Sequence, residues 1–346
     1  MKFIKHSLDT IPSCYAVSGI KVRGELQLLY ASEVPGGPCY SYSAKDFSDR
    51  KTVWDNAGGT MSFAPIPETD AEFLAVQNFF PGFVGETAKL VYVRYDDEKG
   101  WITRDLINIP YVHRFDIFRV NNINYVCACT VCSLRCDTDI VSNPGKVYIF
   151  ELPESMDGRD IKMHTLMEGL VRNHGYWRGT YSGKDAGYIA CDNGVYAVLP
   201  KDGKDWSVIS LIDRPVSDIA AFDLDGDGAE EIAGIEPFHG NRFIINKVID
   251  GKYQTVYHYP KELEFTHVVW MGNLRGKPAV IGGSRRADAE LFILYPDKND
   301  PSGYSVEIIE KGFGPSNIAV LNEKDRDLIL VANNSVHKAD LFEVID

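Results

Sequence analysis

The feature that most constrains this chain is a recurring run of short apolar strands. Near the middle the order is an outer strand WSVISLI, a proline-bearing loop DRPVS, an inner strand DIAAF, a turn, a second strand EEIAGIE, a loop and a third strand RFIINKV. The same order returns at 304–309, 317–321, 328–332 and 340–345, and again at 253–257, 268–271, 278–282 and 290–295. Upstream, KLVYVRY and KVYIFEL read as third strands, and YIACDNGVYAVLP as a second and third strand joined by a very short turn. Aligned starts of the inner strands fall at Cys14, Gly59, His113, His174, Ser217, His267 and Ser316, with spacings of 45, 54, 61, 43, 50 and 49 residues. Seven such units with little helix predict an all-β chain, a seven-bladed β-propeller of four-stranded antiparallel blades. Six blades or an array of sandwiches are the alternatives.

Closure has a physical cause. An open row of small sheets leaves apolar faces and strand edges at both ends, and a ring removes both. The seventh unit ends at Asp346 after its third strand, whereas KFIKH near the N-terminus precedes SLDTIPS much as WSVIS precedes LIDRPVS. The N-terminal strand is therefore expected to complete the last blade, making residues 1–346 a single propeller domain.

One unit carries a distinctive turn. Phe222-Asp223-Leu224-Asp225-Gly226-Asp227-Gly228-Ala229-Glu230-Glu231 places carboxylates at alternate positions, with Gly228 where the chain must turn and Glu231 at the ninth position. Oxygen donors so spaced suit a hard cation, and Ca²⁺ held by Asp223, Asp225, Asp227 and Glu231 is the expectation. Strand-like flanks argue against an EF-hand, which needs helices; a water-filled polar turn is the other reading. DLDGDGAEE followed by strands of this pattern resembles the FG-GAP/VCBS type of propeller repeat, also seen in integrin α-chain heads. The motif covers one unit of the seven. That resemblance implies the fold far more than an activity, because such propellers include lectin-like, adhesive and enzymatic members.

In a propeller the inner strands begin at one mouth of the axis, and the loops between second and third strands open onto that same face. The acidic turn joins first to second strand, which places it on the opposite face with a structural role. His113, His174 and His267 share one register at the start of inner strands, while His239 and His337 fall in second-to-third-strand loops. Five histidines are thus expected at one mouth. His113, His174 and His267 are the expected ligands of a divalent transition metal, Mn, Fe or Zn, with His239 or His337 as further ligand or base. A metal-free acid/base or binding pocket, and imidazoles that merely hydrogen-bond across the axis, are the competing readings. Arg178, Arg285 and Arg286 are expected to grip a carboxylate, since the guanidinium fork matches it. Trp177 and Trp270 either stack on sugar rings or pack between blades.

Composition narrows the partners. A formal charge of -13 argues against nonspecific nucleic-acid or anionic-membrane binding. The N-terminus lacks the apolar run of a signal peptide, no stretch has the length of a membrane span, and seven cysteines read as reduced thiols. A cytoplasmic location follows as an expectation, with Cys132 and Cys136 as candidate reactive thiols in a loop that contains Arg135 and shows no activating base nearby. Dinucleotide, P-loop and nucleophile-elbow signatures are absent. The histidine funnel with arginines is similar in architecture to the cytoplasmic oligogalacturonate lyases, which hold a divalent metal with histidines and cleave uronates by β-elimination. The resemblance implies a metal-dependent carbon–oxygen lyase or dehydratase acting on a small, anionic carbohydrate such as a uronate or keto-sugar. A noncatalytic carbohydrate- or protein-binding propeller and a metal-dependent lactone or glycoside hydrolase are the alternatives; the oligomeric state is left open.

Overall fold

The computed structural model describes residues 1–134 and 141–346. Seven four-stranded antiparallel sheets follow one another, each a simple meander of strands adjacent in sequence. The one exception is the last blade. There Lys2–Thr10 pairs with Lys338–Ile345, in a register running from Lys2 opposite Ile345 to Thr10 opposite Lys338. The inner strands pack each against the next, and the seventh against the first, so the seven blades form a closed propeller. Arg135 and Cys136 lie outside the described residues.

Burial follows the radial order. Second strands such as Asp327–Asn333 and Glu231–Glu236 are buried throughout, because both faces are covered by neighbouring blades. Outer strands alternate, as in Lys252–His258, where one face meets solvent. The apolar clusters sit between blades. The one that seals the ring joins Leu28 and Tyr30 of blade one to Leu328, Leu330 and Leu341 of blade seven. Gly19 marks how tight this seam is, for a Cβ there would fall 2.7 Å from Leu321 Cδ1. Trp177 and Trp270 pack into such seams, Trp177 with its Nε1–H donating to Ala221 O at 2.9 Å.

Blade two departs from the expected register. Its inner strand is only Phe63–Pro65, four residues after the aligned Gly59. Gly58 and Gly59 both have positive φ, and a Cβ at Gly59 would sit 2.5 Å from Phe79 N, so this segment is a tight crossing rather than a strand. Cys127 and Cys129 are buried on one strand in the apolar seam between blades three and four. Cys132, a candidate reactive thiol on its sequence position, is also buried, at 1% exposure. Among the described residues no helix is long and apolar enough to cross a membrane.

Candidate metal centre at the propeller mouth

Four histidines meet at one end of the axis. His113 lies in Val112–Val120, His267 in Glu264–Leu274, and His174 just before Gly175–Tyr181. His239 comes from the turn after Glu231–Glu236, and its N–H donates to Ser217 Oγ at 3.0 Å, which ties that turn over the mouth. Nε2 of His174 and Nε2 of His239 are 3.4 Å apart. One donor atom from each of His174, His239 and His267 lies within 4.8 Å of the other two. Tetrahedral donors about 2.0–2.1 Å from a Zn²⁺ are separated by roughly 3.3–3.4 Å, so the closest pair already stands at that spacing. His113 flanks the triad, with its ring centroid 4.5 Å from that of His174. The group whose donors stand this close holds His239, which the sequence pattern gave as a further ligand or base, while His113 lies beside it.

These imidazoles are neutral, the form a metal requires. Burial, then the neighbouring imidazoles and Arg114, holds His113, His174 and His267 well below the ordinary histidine value. His239 is pulled down to about 3 by burial first, then by Arg285, Arg114, Arg172 and Arg286. The proton on His267 is placed by a hydrogen bond. Nδ1 stands 2.5 Å from Ser316 O, a carbonyl that can only accept, so Nδ1 carries the hydrogen and Nε2 keeps its lone pair. The Tyr15 hydroxyl is 3.4 Å from that Nε2 and 3.4 Å from Nε2 of His113.

Above the histidines a cavity of ≈ 380 Å³ opens to the surface, walled by Phe79, Phe83, Phe238 and Phe265, with Arg285 and Glu33 as its charged groups. Arg285 is paired with Asn334 and lies 3.8 Å from Glu33, and burial raises the Glu33 carboxyl above its usual value. Arg286 is exposed on the rim, 4.8 Å from the Phe265 centroid.

Below lies a second cavity of ≈ 330 Å³, and His267 and Met61 line both. A polar belt crosses the axis at this boundary. Arg114 donates to Met61 O at 2.8 Å and to Asn317 Oδ1 at 3.1 Å, and stands 3.9 Å from Asp218. Burial lifts the Asp218 carboxyl to about 6 against the opposing pull of Arg114. Sequence reasoning missed this belt. Its signal was present, since Arg114, Asp218 and Asn317 each directly follow an aligned inner-strand residue, His113, Ser217 and Ser316.

Two expected site residues lie elsewhere. Arg178 belongs to the lower cavity, donating to Ile117 O at 3.1 Å and Asp185 at 2.8 Å with its guanidinium 3.7 Å over Phe118. His337 is exposed and accepts the Ser13 N–H at 2.8 Å, so four histidines converge rather than five. A left-handed residue closing a 3₁₀ turn sets its direction, a local feature that strand spacing does not encode.

The acidic turn sits at the opposite end of blade five, because consecutive hairpins of a meander turn at alternate ends. Donor atoms of Asp223, Asp225 and Asp227 lie within 4.8 Å of one another, and Gly226 and Gly228 supply the positive φ the turn needs. Glu231 is 2% exposed and accepts the Leu224 N–H at 2.8 Å. Lys247 completes the group, paired with Asp225, 2.8 Å from Asp227 and 3.4 Å from Glu231.

Neither a family model nor a curated protein sequence matches this chain. The seven-bladed propeller rests on the structure itself, and no match ties the chain to FG-GAP/VCBS repeats or to sugar-lyase propellers.

Proposed function

We propose that this chain is a metal-dependent enzyme whose ion is held by His174, His239 and His267, and that it eliminates a carbon–oxygen substituent from a small uronate or keto-sugar. The observation that carries the reading is three neutral imidazoles, two of them buried and His239 half-buried, with donor atoms within 4.8 Å of one another beneath an open cavity. Zn, Mn or Fe in its divalent state suits an all-nitrogen set with room for an exogenous ligand. Such an ion stabilises negative charge developing on a substrate carboxylate or carbonyl. Arg285, with Arg286 at the rim, supplies the complementary guanidinium contact. His113, neutral and outside the triad, is the base for the proton next to the carbonyl. The C–H electron pair then becomes the new double bond as the C–O bond breaks, and the departing oxygen keeps that bond's electrons and takes up the proton His113 removed or one from water. The phenylalanine walls give the ring a face to stack on and keep bulk water away.

Those same walls favour a second reading, a noncatalytic propeller that holds a sugar ring without turning it over. The Asp223–Asp227 turn is proposed as a Ca²⁺ site, in which the ion takes the place of the Lys247 ammonium among oxygen donors. Pairing of the first strand with the last supports treating residues 1–346 as one domain.

Metal analysis of the purified protein, followed by incubation of the metal-loaded form with a panel of uronates, tests the proposal. Growth of the ultraviolet absorbance of an unsaturated uronate, lost in R285M and in H174A, is the expected result. Metal uptake with sugar binding but no unsaturated product favours the binding module, and reducing ends without that absorbance favour hydrolysis.

A further inference from the structure

We infer that Asp218 is a positioning residue of the metal centre, whose carboxylate takes the Nδ1–H of His174 and so fixes the Nε2 of that ring on the ion. The inference rests on the three-histidine reading above and adds to it a residue outside the ligand set.

His174 Nδ1 is buried and makes no hydrogen bond of normal geometry with the described residues, although the Ser217 carbonyl stands near the ring and competes as an acceptor. A polar ring atom closed off from water calls for a partner. The Asp218 carboxylate faces it, with Oδ2 at 3.8 Å from Nδ1. Its other oxygen, Oδ1, accepts the Ile219 N–H at 3.0 Å, the Tyr176 N–H also favours the carboxylate, and Oδ2 is the oxygen nearest the ring. Asp218 itself is 6% exposed, and a carboxylate is rarely buried without a specific partner. Arg114, 3.9 Å from the same oxygen, balances its charge from across the axis.

The backbone brings the two groups together by design of sequence. Gly175, the residue after His174, lies against blade five so closely that a Cβ would be 2.8 Å from Asp218 Cα and 2.8 Å from Ser217 O. Any larger residue there would drive blades four and five apart and take His174 away from the carboxylate. His267 shows the same principle in finished form, with its Nδ1–H on the Ser316 carbonyl. Metal-bound imidazoles generally give their second N–H to a carbonyl or carboxylate, which fixes the tautomer and raises the basicity of the ligating nitrogen. A bound ion acidifies Nδ1–H, and closing the gap to a normal hydrogen bond takes a shift of about 1 Å.

Titration of the full chain with Co²⁺, followed by its visible bands and by competition with a chromophoric chelator, tests this. D218N is expected to bind Co²⁺ about 10- to 100-fold more weakly than wild type, with altered band positions. D116N serves as the control, because Asp116 lines the same lower cavity but has Arg178, 3.6 Å away, as its partner. It is expected to keep wild-type affinity. Equal Co²⁺ binding by D218N and wild type, or equal weakening in D116N, overturns the inference. A wild-type chain that takes up no Co²⁺ overturns the three-histidine reading together with this one. Should D218N not fold, the imidazole N–H resonances of wild type decide the matter. A slowly exchanging His174 Nδ1–H that appears on adding Zn²⁺ well downfield of the carbonyl-held His267 Nδ1–H supports the role, and its absence, or its appearance at the His267 position, refutes it.

Discussion

The two ends of blade five solve the crowding of like ligands in opposite ways. At the mouth, His239 joins three other imidazoles, and burial with nearby arginines keeps them all uncharged. At the far end, three aspartates and Glu231 crowd together, and Lys247 reaches among them. Imidazole can be packed as a neutral base with its lone pair intact, whereas carboxylates packed together call for a cation. The acidic turn thus carries an internal counter-ion, while the histidine cluster carries arginines at its margin and a free set of lone pairs at its centre. The first arrangement suits architecture and the second suits chemistry.

The largest expected effect breaks the comparison at the mouth. Replacing His174, His239 or His267 by Ala removes a direct ligand and is expected to lower transition-metal affinity by more than the roughly 10- to 100-fold typical of outer residues. H337A, at an exposed position, is expected to leave it unchanged; equilibrium dialysis with metal analysis checks both. Comparable uptake in all four variants would place the ion elsewhere.

Next comes the pH dependence of stability in metal-free protein. The four imidazoles are held below the ordinary value of 6.5, so the unfolded chain binds more protons than the folded one as pH falls. Their contribution is complete above about 6.5 and is lost on acidification, for His239 down to about 3. Urea unfolding at a series of pH values should show a steep loss in that window for wild type and a shallower one for H239F. Equal slopes would mean that His239 titrates normally.

A smaller effect belongs to the acidic turn. Asp225 and Asp227 are nearly half exposed, at 46% and 45%, and their pairing with Lys247 is worth little in water. Glu231, at 2%, is the costly member once the ammonium is gone. K247M is expected to lose about 1–3 kcal/mol in urea unfolding. Millimolar Ca²⁺ is expected to restore that loss, while raising the wild-type melting temperature less. A larger Ca²⁺ response in wild type than in K247M would show that the lysine does not compete for the site. Least of all, Y15F is expected to shift stability by about 1 kcal/mol or less and to leave metal stoichiometry intact, because both hydroxyl contacts are long.

Much of this plan was legible in the sequence. Strand order repeated with enough regularity to count seven units, to predict that the first strand closes the last blade, and to put His113, His174 and His267 in one register. What escaped were features decided across space rather than along the chain. His337 turns outward because of a single 3₁₀ turn. Lys247 meets Glu231 because the pairing of Ile232 with Asn246 sets those two strands in register, a pairing that motif reading does not test. Asp218 and Arg114 read as ordinary strand residues until the inner strands are ranged around one axis. Blade two hid its short inner strand behind Gly58 and Gly59, whose crossing left too few alternating residues to recognise.

The contrast between the two ends is tested most directly by anomalous diffraction from crystals grown with Zn²⁺. The expected map holds one strong peak among the ring nitrogens of His174, His239 and His267, at about 2.0–2.1 Å from each. A mouth without such a peak, or with density only at the acidic turn, would contradict the account.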